Sequence, residues 1–98
     1  MDKIGIIISN HAYTRLKERN GWGKKTADRM IIRVYLQGKR PSEIKGYLRL
    51  WVNKKVSNPL GDVNEFVLYG NMLYLFKDNI LLTAITAPSR NTLLKLAS

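Results

Sequence analysis

The sequence predicts an α+β domain, about three helices packed on one face of a small, mainly antiparallel four-stranded sheet. Two observations lead there. Ala27, Met30, Ile31, Val34 and Tyr35 recur at i, i+3, i+4, i+7 and i+8 without a miss. At about 3.6 residues per turn that spacing puts all of them on one face of a helix. Further on, three short apolar runs at 66–69, 72–76 and 80–86 are joined by Gly70-Asn71 and Asp78-Asn79. Gly, Asn and Asp tolerate positive φ, so two-residue links of this kind predict tight hairpins, and the three runs predict an antiparallel meander.

The other elements follow in chain order. Residues 4–8, Ile-Gly-Ile-Ile-Ile, are rich in β-branched side chains and predict a short strand. Ser9 or Asn10 can cap a first helix over 10–20, and Asn20-Gly21 ends it with Gly in the left-handed position. Thr26, or a residue just before it, starts the periodic second helix, and Gly38 stops it. Lys39-Arg40 is a basic link. Pro41 fits the first position of a third helix, in which Ile44, Tyr47, Leu48, Trp51 and Val52 repeat the same template. Gly46 falls inside that helix, at a cost of about 0.5–1 kcal/mol relative to Ala. Residues 57–62 form a turn cluster, and the last nine residues after Pro88 and Ser89 predict at most a frayed helical turn. With no repeat and no low-complexity tract, residues 1–98 are expected to form one domain.

Composition narrows the function. Lys and Arg number 17 against 7 Asp and Glu, a formal charge of +10 on 98 residues. A field of that size repels itself in a small folded domain, and the usual compensation is a polyanionic partner. Nucleic acid is the first candidate, an anionic membrane surface the second and an acidic protein the third. The absence of cysteine rules out a disulfide framework and a thiolate site, and a lone histidine argues against a protein-built zinc site. No metal and no cofactor are expected. No run approaches the roughly 18 apolar residues of a membrane span, and residues 4–8 are too short for a signal core. The expectation is a soluble cytoplasmic protein that does not engage a membrane.

The densest chemistry lies in the first helix. His11, Arg15 and Arg19 are four residues apart. On a helix they form one stripe, spread over roughly 80° and about 12 Å. His11 is the only histidine, and its type titrates near neutral pH. Arginine is a planar, permanently charged match for phosphate. A proton shuttle beside two phosphate clamps suits cutting a phosphodiester and suits merely holding one. A solvated helix face carries the same residue types. Other cations flank helix ends or lie on polar faces: Lys24, Lys25, Lys45, Arg49, Lys54 and Lys55 are candidates for nucleic-acid contact. Lys54 and Lys55 also complement a helix C-terminus without any ligand. Trp22 and Trp51 can stack on bases, although Trp51 falls on the apolar stripe of its helix.

The order of these pieces, with the His11-to-Arg19 helix near the start and a closing meander Tyr69-Gly-Asn-Met-Leu-Tyr-Leu-Phe-Lys-Asp-Asn-Ile-Leu-Leu-Thr83, resembles small phage- and plasmid-borne proteins of the superfamily that joins barnase, colicin D and RelE-type nucleases. The similarity is specific at two stretches, 11–19 and 69–83. It implies a RelE-like fold in which His11, Arg15, Arg19 and Thr83 face a cleft between helix and sheet. It also implies a metal-independent, toxin-like endoribonuclease, held in check by an acidic antitoxin-like protein. Two departures stand out: the helical insert over 26–55 is longer than in a minimal RelE-like fold, and the strands over 66–86 offer Lys77 as their one basic residue.

Cleavage of RNA without metal needs a base for the 2′-hydroxyl, an acid for the leaving oxygen and cations for the phosphorus-bound charge. His11 supplies one proton role. Tyr13, Tyr69 and Tyr74 are candidates by type for the other, with Tyr13 nearly opposite the arginines on the helical wheel. Two readings remain open: an RNase, and a non-catalytic module or inhibitor from a phage or mobile element that binds nucleic acid, RNA favoured, or a nucleoprotein.

Overall fold

Ser9 is extended at φ −67°, ψ 159°, and its Oγ accepts from the Ala12 N–H at 3.1 Å. This caps helix α1, Asn10–Asn20. Gly21 at φ 71° closes it, donating to the Lys17 carbonyl at 3.1 Å while Trp22 reaches back to Leu16 at 3.3 Å. That paired return is the glycine C-cap the sequence indicates. The computed structural model describes residues 5–57 and 63–88. The remaining elements are β1 (Ile7–Ile8), α2 (Lys24–Gln37), a 3₁₀ turn (Pro41–Glu43), α3 (Tyr47–Ser57), β2 (Glu65–Tyr69), β3 (Met72–Lys77) and β4 (Ile80–Thr86). Most of the 57–62 turn cluster and the C-terminal residues lie outside the described residues.

The four strands form one mixed sheet in the order β1-β4-β3-β2, with β2, β3 and β4 antiparallel and β1 parallel to β4. The hairpins turn at Gly70, φ 61°, and Asp78, φ 54°, as the two-residue links predict. Pairing of β3 with β4 is interrupted by a bulge: Leu75 faces Thr83 but Phe76 faces Leu81, so Leu82 is the extra residue.

Both faces of the sheet are buried, which explains why Met72 to Phe76 of β3 are covered without a break. Ala12 and Leu16 of α1 and Ala27, Ile31 and Val34 of α2 form one cluster with Val67, Met72, Tyr74, Phe76, Leu81 and Ala84. Ile44 and Val52 form a second cluster with Phe66, Leu68, Leu73 and Leu75. The α+β class, the three helices and the mainly antiparallel four-stranded sheet are as expected. The distribution is not: α1 and α2 cover one face, and α3 with its 3₁₀ turn covers the other.

The route to α3 gives the reason. Pro41 opens a 3₁₀ turn rather than a long helix, with the Arg40 N–H capped by the Glu43 carboxylate at 2.9 Å. Ile44 is extended, and Gly46 is left-handed at φ 77°, so it precedes α3 instead of sitting inside it. This turn lets Ile44 drop into the second cluster and restarts the helical phase at Tyr47. Gly38 has a different task. A side chain there would collide with Val67 Cγ1 and the Val34 carbonyl, because the end of α2 lies directly on β2. Lys39 then bridges Leu68 with paired bonds of 2.8 Å and covers the outer edge of β2.

Candidate nucleic-acid interface

α1 lies along β4 and α2 lies beside α1, so their outer surfaces form one continuous layer. Tyr13 points from α1 to α2, its hydroxyl donating to the Asp28 carboxylate. That bond, with burial and the Asp28 charge behind it, pushes the Tyr13 pKa up to about 12. Lys24 Nζ lies 5.3 Å over the same ring. At about 100° per residue His11 lies about 160° round the helix from Tyr13. The His11–Arg15–Arg19 stripe therefore faces away from α2, over the edge of β4 that β1 leaves uncovered after Leu81.

Within the stripe, Arg15 Nε lies 3.4 Å from His11 Nε2, a long contact in which the imidazole nitrogen accepts. Arg15 Nη1 is also 3.6 Å from Glu18, a surface pair of little energetic weight. Arg19 is committed elsewhere: its Nη1 donates to the Ala84 carbonyl at 2.8 Å. Ser9 Oγ does the same to the Leu82 carbonyl at 3.1 Å. Both side chains satisfy edge carbonyls of β4 where no strand does.

Thr83 is not with them. It pairs with Leu75, whose side chain belongs to the cluster beneath α3. Residues directly opposite on an antiparallel pair share a face. Strict alternation from Leu81, which lies in the α1–α2 cluster, would turn Thr83 toward α1. The bulge at Leu82 shifts the phase by one residue and sends it to the other side.

The tyrosines are also accounted for. The Tyr74 hydroxyl is buried, accepts from Asn20 Nδ2 at 3.3 Å, and has its pKa raised by that burial. Tyr13 holds its proton against Asp28, and Tyr69 packs against the α1–α2 cluster. His11 and Arg15 thus stand together without Thr83 or any of the three tyrosines, and the ionisable group beside them is Glu18, 3.6 Å from Arg15.

The other expected cations divide between the faces. Lys24 and Lys25 are on α2; Lys45, Arg49, Lys54 and Lys55 belong to the α3 side. The residue signal missed from the sequence is on α2, where Lys25, Arg29 and Arg33 are exposed at four-residue intervals. They are the polar complement of the Ala27-to-Tyr35 stripe, and reading that complement would have found them. Ile32 and Leu36, 40% and 62% exposed, lie beside them. Among the described residues none of the three cations forms an ion pair.

The acids among the described residues, by contrast, are occupied. Glu18 is near Arg15, Asp28 accepts from Tyr13, Glu43 caps Arg40 and Asp78 accepts from Asn64 Nδ2 at 3.0 Å. Glu65 meets Arg40 Nε at 2.8 Å and accepts from the Tyr35 hydroxyl at 3.2 Å. Arg40 itself is structural, donating also to the carbonyls of Tyr35 and Gly38 and lying 4.9 Å over the Tyr35 ring. Among the described residues no three His, Asp or Glu side chains come together as a metal ligand set, and no helix is long and apolar enough to cross a membrane. Comparison of the chain with protein-family models, curated proteins and solved structures finds no match.

Proposed function

We propose that this protein is a non-catalytic nucleic-acid-binding module, with RNA the favoured partner, whose phosphate contacts come from the outer face of α2. One observation carries this reading. Lys25, Arg29 and Arg33 are exposed one turn apart with no ion-pair partner among the described residues, while the nearby acid Asp28 is engaged by Tyr13. Cations left in that state attract a polyanion, and release of its counterions supplies affinity. His11 and Arg15 lie on the far flank of α1, away from this track, and Ile32 and Leu36 offer apolar contact to sugars or bases.

Cleavage is the second reading, favoured by the pairing of Arg15 with His11 at 3.4 Å. A base next to a phosphate clamp is half of the apparatus for 2′-hydroxyl attack. The separation of Thr83, the commitment of Arg19 to Ala84 and the occupied tyrosines put this reading second.

The deciding experiment is titration of a fluorescently labelled RNA with the intact protein at increasing salt, followed by a gel of the same samples. The expected result is binding whose log–log salt slope is roughly −0.7 per phosphate contact on a single strand, with the RNA left whole. His11→Ala then changes affinity little. Absence of binding in about 50 mM salt would remove the polyanion reading. Cut RNA that becomes intact with His11→Ala would restore the catalytic one.

A further inference from the structure

Among the described residues, the outer side of α3 differs from the other helix surfaces. Its sequence, Tyr-Leu-Arg-Leu-Trp-Val-Asn-Lys-Lys-Val-Ser, holds no acid, and Val52 is its one buried residue. Round the helix from Val52, Tyr47 and Leu50 face solvent, 44% and 73% exposed. Trp51 is half-buried: one side packs against the second cluster, and Lys55 Nζ stands 5.8 Å over the ring. The lysine marks a ring face that a ligand can reach. Tyr47 and Trp51 are four residues apart and so adjacent on the surface, about one helical turn from each other. Lys54 is exposed on the same side. None of this surface adjoins α1 or α2, which lie across the sheet.

We infer that Tyr47, Leu50 and Trp51 form a stacking platform for unpaired nucleotides of RNA, with Lys54 and Lys55 holding the phosphates between them. The inference rests on the RNA-binding reading above and adds to it a second surface and a preference for single strands. Aromatic rings flanked by lysines are the two components that sequence-tolerant single-strand binding requires, because every base offers a π-face and every linkage a charge. On entry of a base over Trp51, Lys55 swings from the ring to the neighbouring phosphate, so the cation keeps a partner throughout. An acid-free helix disfavours a basic partner such as a second copy of this +10 chain. Stacking on aromatic rings serves single-stranded DNA and RNA alike, so the commitment to RNA follows the reading above, and the 2′-hydroxyl is what would distinguish the two.

The chain has two tryptophans, Trp22 and Trp51, so Trp22→Phe leaves Trp51 as the single indole reporter. The full-length Trp22→Phe protein is titrated with a uridine 12-mer, the deoxythymidine 12-mer and a 12-base-pair RNA duplex, reading indole emission and affinity in parallel. The uridine strand is expected to quench Trp51 strongly, and the duplex is expected to bind without quenching. Tyr47→Ala, an exposed change that keeps the fold, should weaken the uridine strand about tenfold and leave the duplex within twofold. Trp51→Leu, which retains an apolar contact to the second cluster, should do the same. Binding of the uridine strand without quenching, and with no loss in Tyr47→Ala or Trp51→Leu, overturns the platform while leaving the RNA-binding reading in place. Failure of all three nucleic acids to bind overturns both. Equal quenching and affinity with the deoxythymidine strand overturns the assignment to RNA.

Discussion

The two faces of the sheet are covered in different ways. On one side α1 is capped at both ends, tied to α2 by Tyr13 and Asp28, and both helices are buried along a stripe. They turn a cationic surface outward, in which Ile32 and Leu36 of α2 are also exposed. On the other side α3 buries Val52 alone, with Leu48 and Trp51 partly covered, and exposes Tyr47, Leu50 and Val56. A helix that buries a full stripe has its polar residues left for solvent. One that buries a single turn leaves apolar residues outside, and such residues signal contact with something else. The first layer supplies charge and the second supplies rings.

The comparison breaks most directly through the core. Leu16 and Leu73 are both fully buried, beneath the first and the second layer respectively. Leu16→Ala is expected to cost about 3–5 kcal/mol, because two helices tied to each other and the sheet cannot close the cavity. Leu73→Ala should fall nearer about 2–3 kcal/mol, because shallow α3 can settle inward. Urea unfolding of both variants measures this, and a larger loss at Leu73 would show that α3 is as rigid a cover as α1 and α2.

Arg40 joins the layers. It links the end of α2, the 3₁₀ turn and Glu65 of β2. Arg40→Ala removes three charge-assisted bonds and strands a half-buried carboxylate, for an expected loss of about 2–3 kcal/mol in the same assay. Near-wild-type stability would mean that the layers stand independently.

The smallest effect is specific to the first layer. In the folded protein Tyr13 keeps its proton up to about pH 12, above the ordinary tyrosine value of 10.0. The folded state binds that proton more tightly than the unfolded chain. The associated stability is complete below about pH 10 and disappears as pH rises toward 12. Thermal melts across that interval should therefore fall more steeply in wild type than in Tyr13→Phe. Parallel curves would mean that Asp28 does not hold the hydroxyl.

The legible parts of the fold were those in which one local rule acted alone. The Ala27-to-Tyr35 stripe became α2, Ser9 and Gly21 became caps, and Gly70 and Asp78 became turns. The third helix starts later than its period implies, because Ile44 and Tyr47 fit a helical spacing that a left-handed Gly46 interrupts between them. Thr83 was placed on the wrong face because a bulge carries no local signature, and one extra residue reverses every side chain beyond it. The His11–Arg15 contact was readable from four-residue spacing; the commitment of Arg19 to Ala84 depends on how α1 lies on β4 and was not.

The central claim is that the exposed cations of α2, rather than total charge, bind RNA. It is tested by the salt dependence of duplex RNA binding in two variants of equal charge: Lys25→Ala/Arg29→Ala/Arg33→Ala on α2, and Lys45→Ala/Arg49→Ala/Lys54→Ala on the α3 side. The α2 variant should bind more weakly, with a log–log slope shallower by about 2–3, while the α3 variant keeps the wild-type slope. Equal losses in both variants would contradict the claim, because duplex binding would then follow net charge and not the face that carries it.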